Sequence, residues 1–233
     1  MEVHRPAPNR LLARLPRKDR ERFMEGCAPV ELAFNEPLAQ PGEAMAHIHF
    51  PTGGFISLMS RMPEGSRIEV ALVGTEGMLG MPLLLGVATS QEHAVVQGAG
   101  PALRMSASRF ARELKASPAL RGVLNQYVFV TISQLAQTAG CNRFHVVEER
   151  LARWLLMTAD RAHSETFRIT HEYLATMLGV RRAGVTKAAS ALQREKLIRY
   201  TRGNVEIIDR RGLERASCGC YRADIALYER VFN

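Results

Sequence analysis

The chain has 233 residues, 46% of them hydrophobic, and a formal net charge of +8. This length and composition exclude wholesale disorder and leave room for two folded domains. The N-terminus lacks the apolar core and cleavage site of a signal peptide, and the four cysteines are few and scattered. The sequence therefore predicts a protein of the reducing cytoplasm.

The charge is distributed unevenly along the chain. Residues 30–100 hold two basic side chains, Arg61 and Arg67, against seven acidic ones, which gives −5. Residues 168–215 hold eleven Lys and Arg residues against five acidic ones, which gives +6. A positive segment of this kind suits a phosphate backbone, although a solvated basic face has the same composition.

The first half of the chain has the pattern of a β-domain. Residues 9–26 predict two short helices divided by Pro16. From Val30 to about Arg104, short apolar runs alternate with glycine and proline, which predicts seven or eight strands in an antiparallel roll or jelly roll. The glycine-rich stretch GTEGMLGMPLLLG (residues 74–86) interrupts these runs. Such a loop borders a ligand cavity or only plugs the end of the roll, and the sequence leaves both readings open.

A long uncharged helix is predicted next, opened by Pro118. Residues 122–142 contain no charged side chain, but their many amide and hydroxyl groups exclude a membrane span. Two adjacent apolar stripes cover more of this helix than one neighbour can bury, so we expect one face to pack on the β-domain and the other on a second subunit. A helix buried wholly within its own chain is the alternative. The residues assigned to dimerisation are Leu120, Leu124, Tyr127, Val128, Thr131 and Leu135.

The basic segment contains two short helices and a hairpin. Residues 145–161 predict an amphipathic helix with Trp154 on its buried side. In ITHEYLATMLGVRRAGVTKAASALQREKL (residues 169–197), Gly179 separates two helices, as in a DNA-reading helix-turn-helix or an ordinary helical hairpin. Two β-runs around Arg202-Gly203-Asn204 then predict a basic hairpin, the wing of a winged helix-turn-helix.

The order of these parts resembles the Crp/Fnr family of bacterial transcription regulators. The likeness spans nearly the whole chain and is strongest over ITHEYLATMLGVRRAGVTKAASALQREKLI and RGNVEIIDRRGLE. It implies an α+β fold: a cyclic-nucleotide-binding-like antiparallel β-roll, a central dimerisation helix and a winged helix-turn-helix, with expected domains 1–117, 118–142 and 143–233. It also implies a homodimer that binds a two-fold symmetric site on double-stranded DNA and contacts RNA polymerase.

The resemblance assigns DNA contacts residue by residue. Thr170 matches the family's phosphate-contacting threonine, and Arg182 matches its base-reading arginine, which suits guanine. Ala183, Gly184 and Lys187 depart from the glutamate, threonine or serine, and arginine of many members, so an atypical half-site is expected. The expected base-reading residues are Arg181, Arg182, Gly184, Thr186 and Lys187, and the expected phosphate contacts are Thr170, His171, Arg202 and Asn204.

The β-roll departs from the family's known sensors. Cyclic-AMP-binding members hold the ligand's phosphate with an Arg-Ser pair, and here Gln91, Glu92 and His93 occupy its surroundings. Since a buried phosphate without a cation is costly, cyclic AMP bound in the usual way is not expected. The N-terminal cysteines of the iron–sulfur members are also missing, because only Cys27 lies in the first hundred residues. The residues named for an effector pocket are Glu76, Gly77, Met78, Leu79, Glu92 and His93.

The remaining chemistry-bearing residues give weaker signals. Cys218-Gly219-Cys220 and Cys141 suit a redox-active or metal-binding role, or small residues in a helix, and the sequence leaves these open. His47 and His49 share a strand but lack a third ligand, so no metal or cofactor is assigned.

The motifs of serine hydrolases, phosphate loops, zinc peptidases and dinucleotide sites are absent from the sequence, which predicts no enzyme. The predicted function is a DNA-binding transcription regulator controlled by an unknown signal. A small-molecule effector, a thiol-based redox change and the protein's own abundance are the alternatives for that signal.

Overall fold

The computed structural model describes residues 9–232. Part of the N-terminal stretch used to judge secretion, residues 1–8, lies outside the described residues. The helices are α1 (Arg10–Ala13), α2 (Arg17–Glu25), α3 (Met81–Leu84), α4 (Ala107–Ala116), α5 (Pro118–Phe144), α6 (Val147–Ala162), α7 (His171–Leu178), α8 (Arg182–Arg194), α9 (Arg210–Ala216) and α10 (Cys220–Phe232). The strands are β1 (Ala28–Leu32), β2 (Pro37–Ala39), β3 (His47–Pro51), β4 (Phe55–Arg61), β5 (Arg67–Val73), β6 (His93–Gly98), β7 (Gly100–Ser106), β8 (Thr166–Arg168), β9 (Ile198–Thr201) and β10 (Asn204–Ile207).

The chain forms two compact units. The first ends at Leu58 and resumes over Ala71–Phe129, and the second joins Met59–Val70 to the chain from Val130 onward. The division falls inside β4, β5 and α5, so these three elements are continuous from one unit to the other. The domain limits at residues 117 and 142 stay a prediction.

The first unit contains the β-roll, as two sheets with strand orders β1-β7-β3 and β2-β6-β4-β5. The pairs β1–β7, β3–β7 and β2–β6 are antiparallel, and Leu103 lies opposite Pro29 on one side and Phe50 on the other. Alternate apolar residues of both sheets, such as Leu32, Ile56 and Val96, face one core. The predicted antiparallel roll is therefore confirmed.

Helix α5 has one buried and one exposed apolar face. Leu120, Leu124, Tyr127 and Thr131 are buried within their own chain, whereas Phe129, Ile132 and Leu135 are 57%, 60% and 37% exposed. The predicted set of dimerisation residues is therefore wrong for these four of its six members, which pack inside the chain. Helical periodicity shows that α5 has two apolar faces, but it does not show which of them packs on the β-roll. No helix of the described chain combines the length and apolarity needed to cross a bilayer.

The second unit holds the predicted helix-turn-helix. Gly179 ends α7 in the left-handed conformation, with φ of 61°, where a side chain would be strained. The face of α8 made by Val185, Ala188 and Leu192 is buried as predicted. Trp154 of α6 is also buried, and its Nε1 donates to Glu69 Oε1 at 2.7 Å.

The wing is a three-stranded antiparallel sheet of order β8-β10-β9. Its two-residue tip is Arg202 and Gly203, with φ of 49° and 83°, the combination that matches strand twist in a tight hairpin. Asn204 pairs with Thr201 and belongs to β10, so it lies beside the tip rather than in it. Strand β8 was missed because three residues carry too little pattern.

Candidate DNA interface

The first helix of the motif presents a capped N-terminus. Thr170 is exposed, and its Oγ1 accepts a hydrogen bond from the Tyr173 amide at 3.1 Å. This cap fixes the first turn of α7, whose remaining amide groups and dipole favour a nearby anion. Thr170 thus lies at the exposed start of α7, and its phosphate contact stays a prediction.

The second helix carries its charge on the outer face. Arg181, Arg182, Thr186 and Lys187 are exposed, opposite the buried Val185 side. Among the residues that the structure describes, neither Arg182 nor Lys187 forms an ion pair or side-chain hydrogen bond within the chain. Their donors remain available for base edges or phosphates.

His171 links the two helices and the wing. Its Nδ1 lies 3.0 Å from Thr186 Oγ1, while the Thr186 hydroxyl lies 3.1 Å from the Arg182 carbonyl oxygen. Because the hydroxyl donates to that carbonyl, Nδ1 is the donor to Thr186. The His171 ring packs 4.3 Å from the Tyr200 ring, centroid to centroid, and Tyr200 donates to Ile169 O at 2.6 Å.

This arrangement changes what His171 and Thr186 can offer to DNA. The Thr186 hydroxyl is engaged on both sides inside the protein. His171 Nε2 has no protein partner, and partial burial, then the nearby Arg182, lower the pKa of His171. His171 therefore positions the start of α8, and its phosphate contact stays a prediction.

The wing places further polar groups at the surface. Arg202 and Asn204 are exposed, one at the tip and one beside it. On the neighbouring strands Arg199 Nη1 pairs with Glu206 Oε2 at 2.6 Å, which neutralises that cation. Arg202 has no such partner within the described chain.

Two buried arginines of α6 support the interface from behind, and sequence analysis did not name them. Arg150 donates to the Leu178 carbonyl, the free C-terminal end of α7, where a cation complements the helix dipole. Arg153 pairs with Asp224 Oδ2 of α10 at 2.5 Å. The only sign of them in the sequence is the three-residue spacing of Arg150 and Arg153 on an amphipathic helix. Their partners, Leu178 and Asp224, are distant in sequence.

The residues predicted to line an effector pocket lie in the first unit. Met78 and Leu79 are buried in the roll, and the Gly77 Cα lies against the Tyr127 hydroxyl. Asn9, which sequence analysis overlooked, donates to the carbonyls of Gly77 and Pro51 at 2.8 and 2.9 Å. Met78 and Leu79 therefore pack in the interior of the roll, and their place in an effector pocket stays a prediction.

The polar members of that set are engaged locally. Glu76 Oε1 accepts from the Gly74 amide at 3.3 Å, and His93 Nδ1 lies 2.9 Å from Gln40 Oε1. The Glu92 amide donates to Ser90 Oγ at 3.2 Å. These contacts fix the ends of the loop.

Comparison with known proteins agrees with this geometry. Residues 149–216 match the model of the Crp-like helix-turn-helix domain. The fold is similar to a putative Crp/Fnr regulator from Eubacterium rectale, with 17% identity, TM-score 0.69, and 88% of this chain and 96% of that one covered. It is also similar to the c-di-GMP responsive regulator CLP of Xanthomonas campestris, with 15% identity, TM-score 0.68, and coverage of 82% and 99%.

A third similar structure is a CRP-family regulator from Thermus thermophilus, with 19% identity, TM-score 0.67, and coverage of 81% and 96%. No functionally curated protein matches the sequence.

The second unit is a winged helix-turn-helix whose second helix presents exposed cations, and the same chain also folds an antiparallel roll. This combination defines a DNA-binding transcription regulator. Residues 149–216 form a Crp-like helix-turn-helix domain, and the chain as a whole shares the fold of solved Crp/Fnr regulators. A Crp-like helix-turn-helix is a DNA-binding domain of transcription regulators.

Proposed function

We propose that this regulator binds a two-fold symmetric DNA site as a homodimer, with one α8 in the major groove of each half-site. The observation that carries the proposal is the exposed outer face of α8, where Arg182 and Lys187 have no partner among the described residues. We assign base reading to Arg181, Arg182, Gly184 and Lys187, with Thr186 fixing their helix. Thr170, His171, Arg202 and Asn204 contact phosphates on either side.

The exposed face of α5 supports the dimer. Phe129, Ile132 and Leu135 follow one another at three-residue spacing, so they lie on one side of the helix. Large apolar side chains in such a row mark a surface that another protein covers. A second copy of α5 brings an identical face, which is the self-complementary contact of a two-fold dimer.

We further propose that the signal reaches the DNA-binding unit through the hairpin of β4 and β5. Within the second unit, Glu69 of β5 accepts from Trp154, and a Cβ at Gly179 would come 2.8 Å from Ile68 Cδ1. Both strands continue into the roll. A conformational change in the roll would therefore shift the β4–β5 hairpin and, through Ile68 and Gly179, the turn before α8. Control of transcription through RNA polymerase belongs to the same proposal.

The first experiment is selection of bound sites from a random duplex library. We expect an inverted repeat whose half-sites lie about 10 base pairs apart, one DNA turn. Enrichment of single, unrepeated sites would contradict the symmetric dimer. Binding to the selected site should weaken with salt, and Arg202→Asn, which tolerates the positive φ, should reduce the slope of log K against log salt by about 0.9.

The second experiment measures subunit association directly. Ile132→Glu should convert the dimer into monomers in sedimentation velocity, because it places a charge on the apolar face of α5. Phe34→Glu is the matched control, since Phe34 is exposed to a similar degree away from α5. A wild-type protein that sediments as a monomer at micromolar concentration would refute the dimer while leaving DNA binding to be judged by the selection.

A further inference from the structure

Four potential metal ligands converge in the second unit. The ligand atoms of Cys141, His145, Cys218 and Cys220 all lie within 4.8 Å of one another. Cys141 Sγ is 3.5 Å from Cys218 Sγ, and Cys220 Sγ is 3.5 Å from His145 Nδ1. The sequence pattern indicates the three cysteines but not His145, which lies one helical turn after Cys141.

These separations fit a tetrahedral ion. With Zn–S near 2.3 Å and Zn–N near 2.1 Å, the edges of a tetrahedral site measure about 3.5–3.8 Å. Every separation in the cluster is within about an ångström of those edges. A disulfide, by contrast, needs sulfur atoms about 2.05 Å apart, and all four cysteines of the chain are free thiols.

The elements that carry the ligands make the site closed. Cys141 and His145 lie at the C-terminal end of α5, and Cys218 and Cys220 flank Gly219 where α10 begins. The three cysteines are 1%, 5% and 2% exposed. Four protein ligands with buried sulfurs leave no open position for a substrate, as in structural rather than catalytic zinc sites.

The surroundings supply the charge that such a centre needs. Arg150 and Arg153 are buried on α6, and Arg153 Nη2 donates to Thr138 Oγ1 of α5 at 3.2 Å, about one turn before Cys141. Asp224 pairs with only one of these two guanidinium groups, so one positive charge is left without a carboxylate. Zinc with three thiolates and a neutral imidazole carries one net negative charge, which balances it.

An outer contact also orients one ligand. Gln137 Nε2 donates to Cys220 Sγ at 2.9 Å, and hydrogen bonds of this kind orient the thiolate ligands of metal ions. Gln137 lies on α5 one turn before Cys141. The same helix therefore provides two ligands and a donor to a third.

We propose that Cys141, His145, Cys218 and Cys220 bind one Zn²⁺ ion in a closed tetrahedral site that ties the end of α5 to the start of α10. Each thiol that binds releases its proton to solvent, and no electrons are transferred. The ion cross-links two segments more than seventy residues apart and holds α10 against α6 from the end of the central helix. Thiolate and imidazole ligands in fourfold arrangement select zinc over magnesium or calcium.

Elemental analysis of the protein purified under reducing, chelator-free conditions tests the proposal. We expect about one zinc per chain in the wild type and in the control Cys27→Ser, whose thiol lies in the other unit. Cys141→Ser and Cys218→Ser should lose most of the metal. Wild-type protein without zinc after growth and refolding with zinc, or one that holds an iron–sulfur chromophore, would overturn the assignment.

A second measurement does not depend on whether the serine variants fold. Wild-type protein stripped of metal and titrated with cobalt(II) should develop the intense visible bands of a tetrahedral thiolate complex, and His145→Cys should keep binding with shifted bands. In the zinc-loaded native protein Cys141, Cys218 and Cys220 should be protected from a thiol reagent, and they should become reactive when a chelator removes the ion. Absence of the cobalt bands, or a Cys141–Cys218 disulfide in freshly purified protein, would overturn the zinc site in favour of a redox pair.

Discussion

The second unit uses arginine in two opposite ways. Arg181, Arg182 and Arg202 lie at the surface of the helix-turn-helix and wing, whereas Arg150 and Arg153 are buried in α6 behind them. The surface group has no carboxylate partner in the described chain, and the buried group is held by a helix end and by Asp224. The same side chain is therefore proposed to bind DNA at the surface, whereas in α6 it stabilises the fold.

The difference follows from the cost of removing a charge from water. A buried guanidinium without a partner is expensive, so each one is matched by a carbonyl or a carboxylate. A surface guanidinium stays hydrated and keeps its donors free until a phosphate or a base edge replaces water. Substitutions in the two groups should consequently affect different measurements.

The largest effect is expected at the buried pair. Arg153→Met leaves Asp224 buried without its cation and should lower the free energy of unfolding by about 3–5 kcal/mol, measured by denaturant titration. The double variant Arg153→Met, Asp224→Leu should recover most of that loss, because it removes both charges.

The exposed pair of the wing is the matched control. Arg199 and Glu206 are 64% and 44% exposed, so Arg199→Met should cost less than about 1 kcal/mol. Equal losses in Arg153→Met and Arg199→Met would remove the distinction between buried and surface arginines in this unit.

A buried histidine in the first unit extends the comparison to a neutral side chain whose protonation is opposed by burial. Burial, then the nearby His47 and Arg104, lower the pKa of His49 to about 4, and His49 Nδ1 has no hydrogen-bond partner. The unfolded chain protonates near pH 6.5, so stability is full above that pH and falls as the pH drops toward 4, by roughly 3 kcal/mol.

Carboxylates also titrate in this range, so the measurement is a difference. Unfolding of the wild type and of His49→Phe should be followed from pH 7 to pH 4, and the variant should lose less stability on acidification. Parallel pH profiles of the two proteins would show that His49 accepts a proton in the fold without penalty.

Substitution of a surface arginine should reduce DNA recognition rather than stability. Arg182→Ala should cost about 1–3 kcal/mol of discrimination at one base pair of each half-site, while its unfolding free energy stays within about 0.5 kcal/mol of the wild type. Binding selection and denaturant titration measure the two quantities. Arg194→Ala, exposed in the last turn of the same helix, is the control that should leave the base preference unchanged.

The sequence predicts the features that depend on contacts within a few residues. The helix-turn-helix was readable because its apolar period, its cap at Thr170 and its left-handed Gly179 all act within a few residues. The wing was readable for the same reason, except that Asn204 belongs to the strand. Local rules therefore place the elements and the exposed cations well.

Contacts between distant segments were not readable. On α5 both faces are apolar, so the pattern could not show that Leu124 and Tyr127 face the roll while Ile132 faces outward. The pairing of Arg153 with Asp224 and the approach of His145 to Cys220 join residues more than seventy positions apart. Such pairs depend on helix packing, which periodicity does not specify.

The smallest expected effect lies at Gly184, on the surface side of the comparison. A Cβ added there would meet nothing within 4 Å, and the position is helical, so Gly184→Ala should raise the free energy of unfolding by about 0.5–1 kcal/mol. Gly77→Ala is the opposing control, since its Cβ would collide with the Tyr127 hydroxyl and should destabilise the protein.

On DNA, the methyl group of Gly184→Ala should shift the selected half-site toward thymine at one position, by apolar contact with the thymine methyl. A stabilised variant with an unchanged site would leave Arg181, Arg182 and Lys187 as the base-reading residues and remove Gly184 from that set.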